Sequence, residues 1–202
     1  MMTDHDPIAE KSDEELAREA RAGSRRSFEE LACRYKRRLF VYLRPRLGSD
    51  EDAEDMVQDT FLKIYRNIDK YDPAYRFSTW LYTSANRLAI DSFRKAAAAR
   101  DKSADSSGRD IPDPAAGYEV ETGATGVWNA ARTLGADRYR VLWLRYGEDM
   151  TVEEIAAVLG RSRLAVRVLL HRARTSLVGR LDPNEGCSVR TRSGAARQAA
   201  GR

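Results

Sequence analysis

Thr151-Val152-Glu153-Glu154-Ile155-Ala156-Ala157-Val158-Leu159-Gly160 is the stretch on which the fold of this chain turns. Thr151 and Glu154 have the spacing of a capping box. The hydroxyl takes the amide of the third helical residue, and the glutamate reaches back to the amide of the threonine. Ile155, Val158 and Leu159 share one face, and Ala156 is small enough for a second helix to cross closely. Gly160 falls where a sharp turn needs a backbone free to take a positive φ. Ser162 is placed to cap a second helix, with Val166 and either Leu169 or Leu170 packing it back on the first. The pattern predicts a helix-turn-helix over residues 151–181.

Its second helix is basic, since residues 161–181 contain no acid. The exposed side is expected to carry Arg163, Arg167, His171, Arg172 and Arg174, with Arg161 and Ser162 at its start. An α-helix fits the DNA major groove and meets base edges with its N-terminal part, while later arginines meet phosphates. The plain alternative is a solvated basic face, which the cap, the small residue and the turn glycine together make the weaker reading. His171 has no His or Cys partner at ligand spacing, so no metal is expected.

Working back along the chain, Trp128, Ala131 and Leu134 mark one helix, and Tyr139, Val141, Leu142, Leu144 and Tyr146 mark the next. Residues 96–126 are an alanine run followed by Ser, Asp, Gly and Pro, the composition of a flexible linker. Before it, Ser12 to Glu15 reads as another capping box. Phe28, Leu31, Ala32, Tyr35, Leu39, Tyr42 and Leu43 form an apolar stripe that Pro45 and Gly48 should end. Ser49 caps a third helix to about residue 66, with Asp52 in the glutamate position of the cap. Ala53, Met56, Val57, Phe61 and Ile64 lie inside, and Glu54, Asp55, Gln58 and Asp59 lie outside. Ser78 is expected to cap a fourth helix through about residue 95, with Trp80, Leu81, Ala85, Leu88 and Ala89 inward.

The expected fold is all-α. Two small helical domains, residues 12–95 and 127–181, are joined by the flexible linker, and the second contains the helix-turn-helix. Residues 1–11 and the basic residues 182–202 read as disordered.

Composition agrees. Charged residues make up 33% and the net charge is only +4, so charge distribution matters more than its sum. Cys33 and Cys187 give neither a metal spacing nor a disulfide framework, which suits a reducing cytoplasm. No apolar run is long enough for a signal peptide or a membrane span. No nucleophile–base pair, phosphate loop or metal cluster points to an enzyme, and no cofactor is expected.

Residues 52–65, Asp-Ala-Glu-Asp-Met-Val-Gln-Asp-Thr-Phe-Leu-Lys-Ile-Tyr, followed by Phe77-Ser-Thr-Trp-Leu-Tyr82 and Asn86-Arg-Leu-Ala-Ile-Asp-Ser-Phe-Arg94, resemble region two of the extracytoplasmic-function sigma factors. The helix-turn-helix with His171-Arg-Ala-Arg174 resembles their region four. The resemblance covers residues 28–95 and 127–181. It implies a transcription initiation factor without catalytic chemistry, whose partners are core RNA polymerase, promoter DNA and an anti-sigma protein. The third helix would dock on a coiled coil of the largest polymerase subunit through Asp55, Gln58, Asp59 and Lys63, and region four would meet the polymerase flap. The loop before the fourth helix would capture minus-ten bases, with Tyr71, Tyr75 and Phe77 as stacking surfaces, Arg76 and Ser78 beside them, and Asn86, Arg87, Arg94 and Lys95 contacting DNA. Phe77 could instead be a core staple, and Arg87 could pair with Asp91. The basic helix, from Arg161 to Arg174, would bind the minus-thirty-five element. Here Val168 and Leu169 replace residues that are polar in the family, so the base-reading positions stay open. A regulator that binds duplex DNA without polymerase is the alternative; it leaves the pattern of residues 52–65 unexplained.

Overall fold

The computed structural model describes residues 8–102 and 125–181, which form eight α-helices and, among the described residues, no strand. The first domain holds α1 (Asp13–Arg21), α2 (Arg25–Leu47), α3 (Asp50–Arg66) and α4 (Phe77–Lys102). The second holds α5 (Thr125–Arg132), α6 (Ala136–Leu142), α7 (Val152–Leu159) and α8 (Arg163–Leu181). None of these helices is long and apolar enough to cross a membrane. The linker expected at 96–126 and the termini expected to be disordered lie largely outside the described residues.

Local chemistry sets most boundaries. Ser12 and Glu15 close a reciprocal capping box on α1, at 3.2 and 2.8 Å. The backbone hydrogen bond from Ser12 holds the Glu15 carboxyl below the usual carboxylate range. Ser49 caps α3 through the Asp52 amide at 3.0 Å. Thr151 and Glu154 cap α7 reciprocally, and Gly160 ends it in the left-handed conformation at φ +62°. Each such cap contributes about 1 kcal/mol.

Three boundaries depart from expectation. Pro45 does not end α2, which runs two residues further to Leu47. In the last turn the missing proline amide costs only one hydrogen bond, and an ion pair between Arg44 and Asp50 ties the turn that follows. Ser78 does not cap α4, because the helix already begins at Phe77. The Phe77 amide instead donates to Glu14 Oε1 at 3.4 Å, and Ser78 Oγ is buried inside the helix with no protein hydrogen-bond partner. Finally, α4 passes residue 95 and reaches Lys102, carried by the alanine run with its high helix propensity.

Within the first domain α2 packs on α1 and α3, and α3 packs on α4; within the second, α6 and α5 pack on α8. The two domains also pack on each other, α4 against α7 and α2 against α6. Their buried apolar residues form one continuous cluster. Five successive residues of α2, Leu39, Phe40, Val41, Tyr42 and Leu43, are all buried. A helix covered on one side only would leave some of them in water. Here α4 and the second domain together cover them: Tyr42 meets Tyr82 of α4 edge-on and accepts hydrogen bonds from Arg140 of α6.

Candidate functional site

On α3, Asp55, Gln58 and Asp59 are exposed as the 3.6-residue period requires, and Lys63 is half-buried one turn on. Leu62 and Tyr65 are exposed beside them. Together with Phe28, Val57 and Phe61 they line an apolar groove of about 740 Å³ between α2 and α3. The face therefore combines carboxylates with an apolar furrow, left open by the described residues.

The loop before α4 is different from the sequence expectation. Tyr71 and Phe77 are 1% and 0% exposed, so neither is a free stacking surface. Phe77 packs edge-on against Tyr35, Tyr71 and Trp80, with ring centroids 5.6, 5.9 and 6.2 Å away. It is the core staple, as the second reading of that residue had it. Tyr71 donates its hydroxyl to the Tyr75 carbonyl at 2.7 Å, closing the loop, and burial pushes its pKa up to about 12. Tyr75 is exposed and is the aromatic ring of this loop open to a base. Ser78 is buried. Arg87 is exposed; it is Arg94, not Arg87, that lies 3.8 Å from Asp91. Arg94 and Lys95 are exposed on the far part of α4.

Asn86, Arg76 and Thr79 face the second domain. Asn86 is 4% exposed, and its Nδ2 donates to the Val158 carbonyl at 2.7 Å. Its Oδ1 accepts from Arg46 at 3.1 Å and from Arg140. Thr79 Oγ1 donates to Glu154 at 3.2 Å, and Arg76 donates to the Asp149 carbonyl at 3.2 Å. Glu154, part of the cap that starts the helix-turn-helix, thus serves also as a contact between the domains.

Beside these lies Glu148, fully buried as a side chain. Gly147 permits the close turn that delivers it: a Cβ there would lie 3.1 Å from the Trp143 ring. Asp149 follows at φ +51°, a left-handed conformation that aspartate tolerates. Arg38 of α2 binds both Glu148 oxygens, at 3.0 and 2.8 Å, and Tyr82 of α4 donates to it at 2.7 Å. Desolvation raises the Glu148 pKa despite the charge of Arg38. The same burial, with the carboxylate beside it, pushes the Tyr82 hydroxyl well above its ordinary range. Arg38, Tyr82, Arg140, Glu148 and Thr79 were not singled out from the sequence as contacts, and Glu154 was read only as a helix cap. Glu148 in Tyr146-Gly-Glu-Asp-Met150 carries no periodic signal, because its partner Arg38 is 110 residues away.

The recognition helix is presented as the sequence implies. Ser162 Oγ accepts from the Ala165 amide at 3.2 Å and so caps α8. Val166, Leu170 and Ala173 are buried, and Leu169 is half-buried. Arg163, Arg167, His171, Arg172 and Arg174 are exposed on the other side. Arg161 pairs with Asp137 at 2.6 Å, Arg163 with Glu153 at 3.5 Å, and Arg174 lies over the Tyr146 ring at 5.5 Å. Tyr146 is accordingly half-exposed and not a core residue. Leu164 and Val168 are also exposed, giving this basic face two apolar side chains.

Residues 31–99 match the family Sigma-70 region 2, and residues 127–177 match Sigma-70, region 4. The chain is 28% identical to the ECF RNA polymerase sigma factor SigW of Bacillus subtilis, over 79% of this chain and 91% of that protein. It is 31% identical to the RNA polymerase sigma factor CarQ of Myxococcus xanthus, over 75% of this chain and 87% of that protein. Among solved structures it is similar to CnrH in complex with the cytosolic domain of CnrY. That likeness has a TM-score of 0.58 and 28% identity, over 86% of this chain and 99% of that one. With both regions matched in order and a relative above 30% identity covering most of the chain, the protein belongs to the extracytoplasmic-function subfamily of RNA polymerase sigma factors.

Proposed function

We propose the following division of labour for a factor that binds core RNA polymerase, recognises promoter DNA and directs initiation. Residues 12–95 hold the polymerase and the minus-ten element, residues 127–181 hold the minus-thirty-five element, and residues 96–126 tether them. Tethering makes the second DNA contact intramolecular, so two weak sites give a useful combined affinity. The factor does no covalent chemistry of its own and works in the cytoplasm.

The exposed carboxylate-bearing face of α3 carries this reading. Asp55, Gln58 and Asp59, with Lys63 at the edge, suit a basic coiled coil of the largest polymerase subunit, and charge complementarity there sets orientation and on-rate. A self-sufficient duplex-binding regulator has no use for such a face. On the DNA side Tyr75 stacks a minus-ten base, a contribution of roughly 1–3 kcal/mol. Arg76 and Asn86 reach base edges, and Arg87, Arg94 and Lys95 hold phosphates. Tyr71, Phe77 and Ser78 support the loop from beneath. In the second domain Arg163, Arg167 and His171 face the major groove near the start of α8, flanked by Arg161 and Ser162, while Arg172 and Arg174 meet the backbone.

Asn86 is buried, and three of the four hydrogen-bonding positions of its side chain are taken by Val158, Arg46 and Arg140. Use of Asn86 on the minus-ten element therefore requires the domains to separate. Since CnrH is described bound to the cytosolic domain of CnrY, an anti-sigma protein that clasps the closed pair is the expected regulator here too, and the flap region of the polymerase is the expected partner of the separated second domain. The test is reconstitution with core RNA polymerase and mapping of transcript starts on genomic DNA. Discrete starts with a shared upstream motif are expected. Tight duplex binding by the free chain, with no response to core enzyme, would sink the proposal.

A further inference from the structure

Between the two domains lies a half-enclosed cavity of about 130 Å³, lined by Arg46, Asn86, Asp137, Arg140, Arg161 and Leu169 among others. Its charge does not balance. Arg46 and Arg140 converge on a single neutral acceptor, Asn86 Oδ1. The lining has one carboxylate, Asp137, bound to Arg161 at 2.6 Å and 3.5 Å from Arg140. Arg46 has no carboxylate within ion-pair distance among the described residues; its guanidinium lies over the Phe93 ring, 4.8 Å from the centroid. Burial, and after it the charge of Arg140, lower the Arg46 pKa, which is the response of a cation lacking a counter-charge. Three guanidiniums thus face one carboxylate where water is partly excluded.

We propose that this cavity is a binding site for a phosphate-type anion, a free orthophosphate or the terminal group of a small phosphorylated metabolite, which braces the two domains against each other. Guanidinium groups bind tetrahedral oxyanions through paired, charge-assisted hydrogen bonds. The cavity is several times the roughly 30 Å³ share of one water, so it admits one such anion with its residual hydration. Arg46 belongs to the first domain, Arg140 and Arg161 to the second. The anion therefore sees its full set of donors only when the domains are closed. By linkage it stabilises that closed state in proportion to its differential affinity.

The test is calorimetric titration of the free full-length chain with orthophosphate, against chloride at equal ionic strength. Polymerase is absent, so the result does not depend on the role in transcription. Saturable binding at one site is expected. Arg46→Gln should weaken it at least tenfold. Asp137→Asn, which removes the competing carboxylate, should tighten it several-fold. Arg25→Gln, remote and exposed, should leave it unchanged. Arg38→Ala, which lies outside the cavity but loosens the closed pair, should weaken it. Non-saturable heats, equal affinity in all variants, or full affinity in an Arg38→Ala chain that small-angle scattering shows to be open would each overturn the proposal; the last would place the anion on one domain's surface. If Arg46→Gln fails to fold by circular dichroism, the opposite effect expected of Asp137→Asn still decides.

Discussion

Two surfaces of the first domain stand in opposite states. The α3 face, with Asp55, Gln58 and Asp59, is open to solvent. The α4 face, with Thr79 and Asn86, is occupied by α7 and the turn before it. Both are short helical surfaces of one small domain, so the difference is not one of fold. It comes from where the second domain sits. On the proposed assignment the contrast implies an order of events: the polymerase can be met by the closed chain, but Thr79 and Asn86 cannot meet the minus-ten element until the domains part.

The sharpest way to break this contrast is to ruin the open face and leave the covered one alone. Asp55→Lys combined with Asp59→Lys reverses the charge at two exposed positions that have no packing role. Assembly with core RNA polymerase, followed by native gel or fluorescence anisotropy, should fall more than about a hundredfold, since like-charge juxtaposition at an interface costs several kcal/mol. Thermal stability should stay within about 0.5 kcal/mol, the usual range for surface changes. Unimpaired assembly would remove α3 from the polymerase interface.

The next intervention acts on the covered face. Arg38→Ala leaves Glu148 buried beside Tyr82 without its counter-charge. Breaking a fully buried pair costs about 3–5 kcal/mol. Arg38 is 41% exposed, so water can reach part of the gap and the loss is smaller. About 2 kcal/mol, roughly a thirtyfold fall in the closed-to-open ratio, is expected. Small-angle scattering or an energy-transfer pair across the domains reads it directly. The opened chain should also bind single-stranded minus-ten DNA without polymerase, which the parent should not. An unchanged radius of gyration would show that apolar packing alone holds the domains.

How far the sequence reveals these surfaces depends on the range of the interactions behind them. The helix-turn-helix was legible because everything that builds it is local: the Thr151 cap, the 3.6-residue period, and Gly160 at φ +62°. The α3 face was legible for the same reason, since exposure follows from periodicity once the inner positions are known. The covered face was not. Tyr71 and Phe77 were offered as base-stacking rings, with a core role as the other reading of Phe77, because aromatic residues in a loop look available, whereas Tyr35 of α2 and Trp80 one turn on in α4 enclose Phe77. The Glu148 contacts span 66 and 110 residues. One signal was present: Leu39-Phe40-Val41-Tyr42-Leu43 is apolar all round the helix, more than packing on one side requires. The continuous run pointed to a second covering layer, though not to its identity.

Proton concentration offers a gentler handle on the same contact. Glu148 faces Arg38 and Tyr35 from α2, Tyr82 from α4, and Trp143 from its own domain. Its pKa in the closed state is raised above 4.5. The closed state therefore holds the proton more tightly than an opened state in which the carboxyl is hydrated. Closure gains as pH falls through the raised value, the gain is complete near 4.5, and it is lost again as pH rises. With one proton linked, the closed-to-open ratio changes by at most about tenfold per pH unit. Glu15 and Glu19, whose pKa values are lowered by Ser12 and Lys11 respectively, stabilise α1 above 4.5 and weaken only below it. Titration of the interdomain distance should thus show tightening before any loss of helix. Glu148→Gln should flatten that response; a persisting one would assign it to another group.

The smallest effect concerns α8, whose exposed arginines are available in the closed and the opened chain alike. Arg172 is exposed, at the middle of the helix, and without an ion-pair partner among the described residues, unlike Arg161 and Arg163. That position favours a phosphate over a base edge. Arg172→Ala should lower affinity of the holoenzyme for every promoter alike by a few-fold. It should also reduce the slope of log affinity against log salt by about 0.9, the contribution of one released counterion. Arg167, nearer the start of the helix, should behave differently: Arg167→Ala should lose affinity for the preferred minus-thirty-five sequence and little for scrambled duplex. If the two variants gave the same salt slope and the same sequence preference, α8 would be a uniform electrostatic clamp. Discrimination would then rest with the minus-ten face that closure hides.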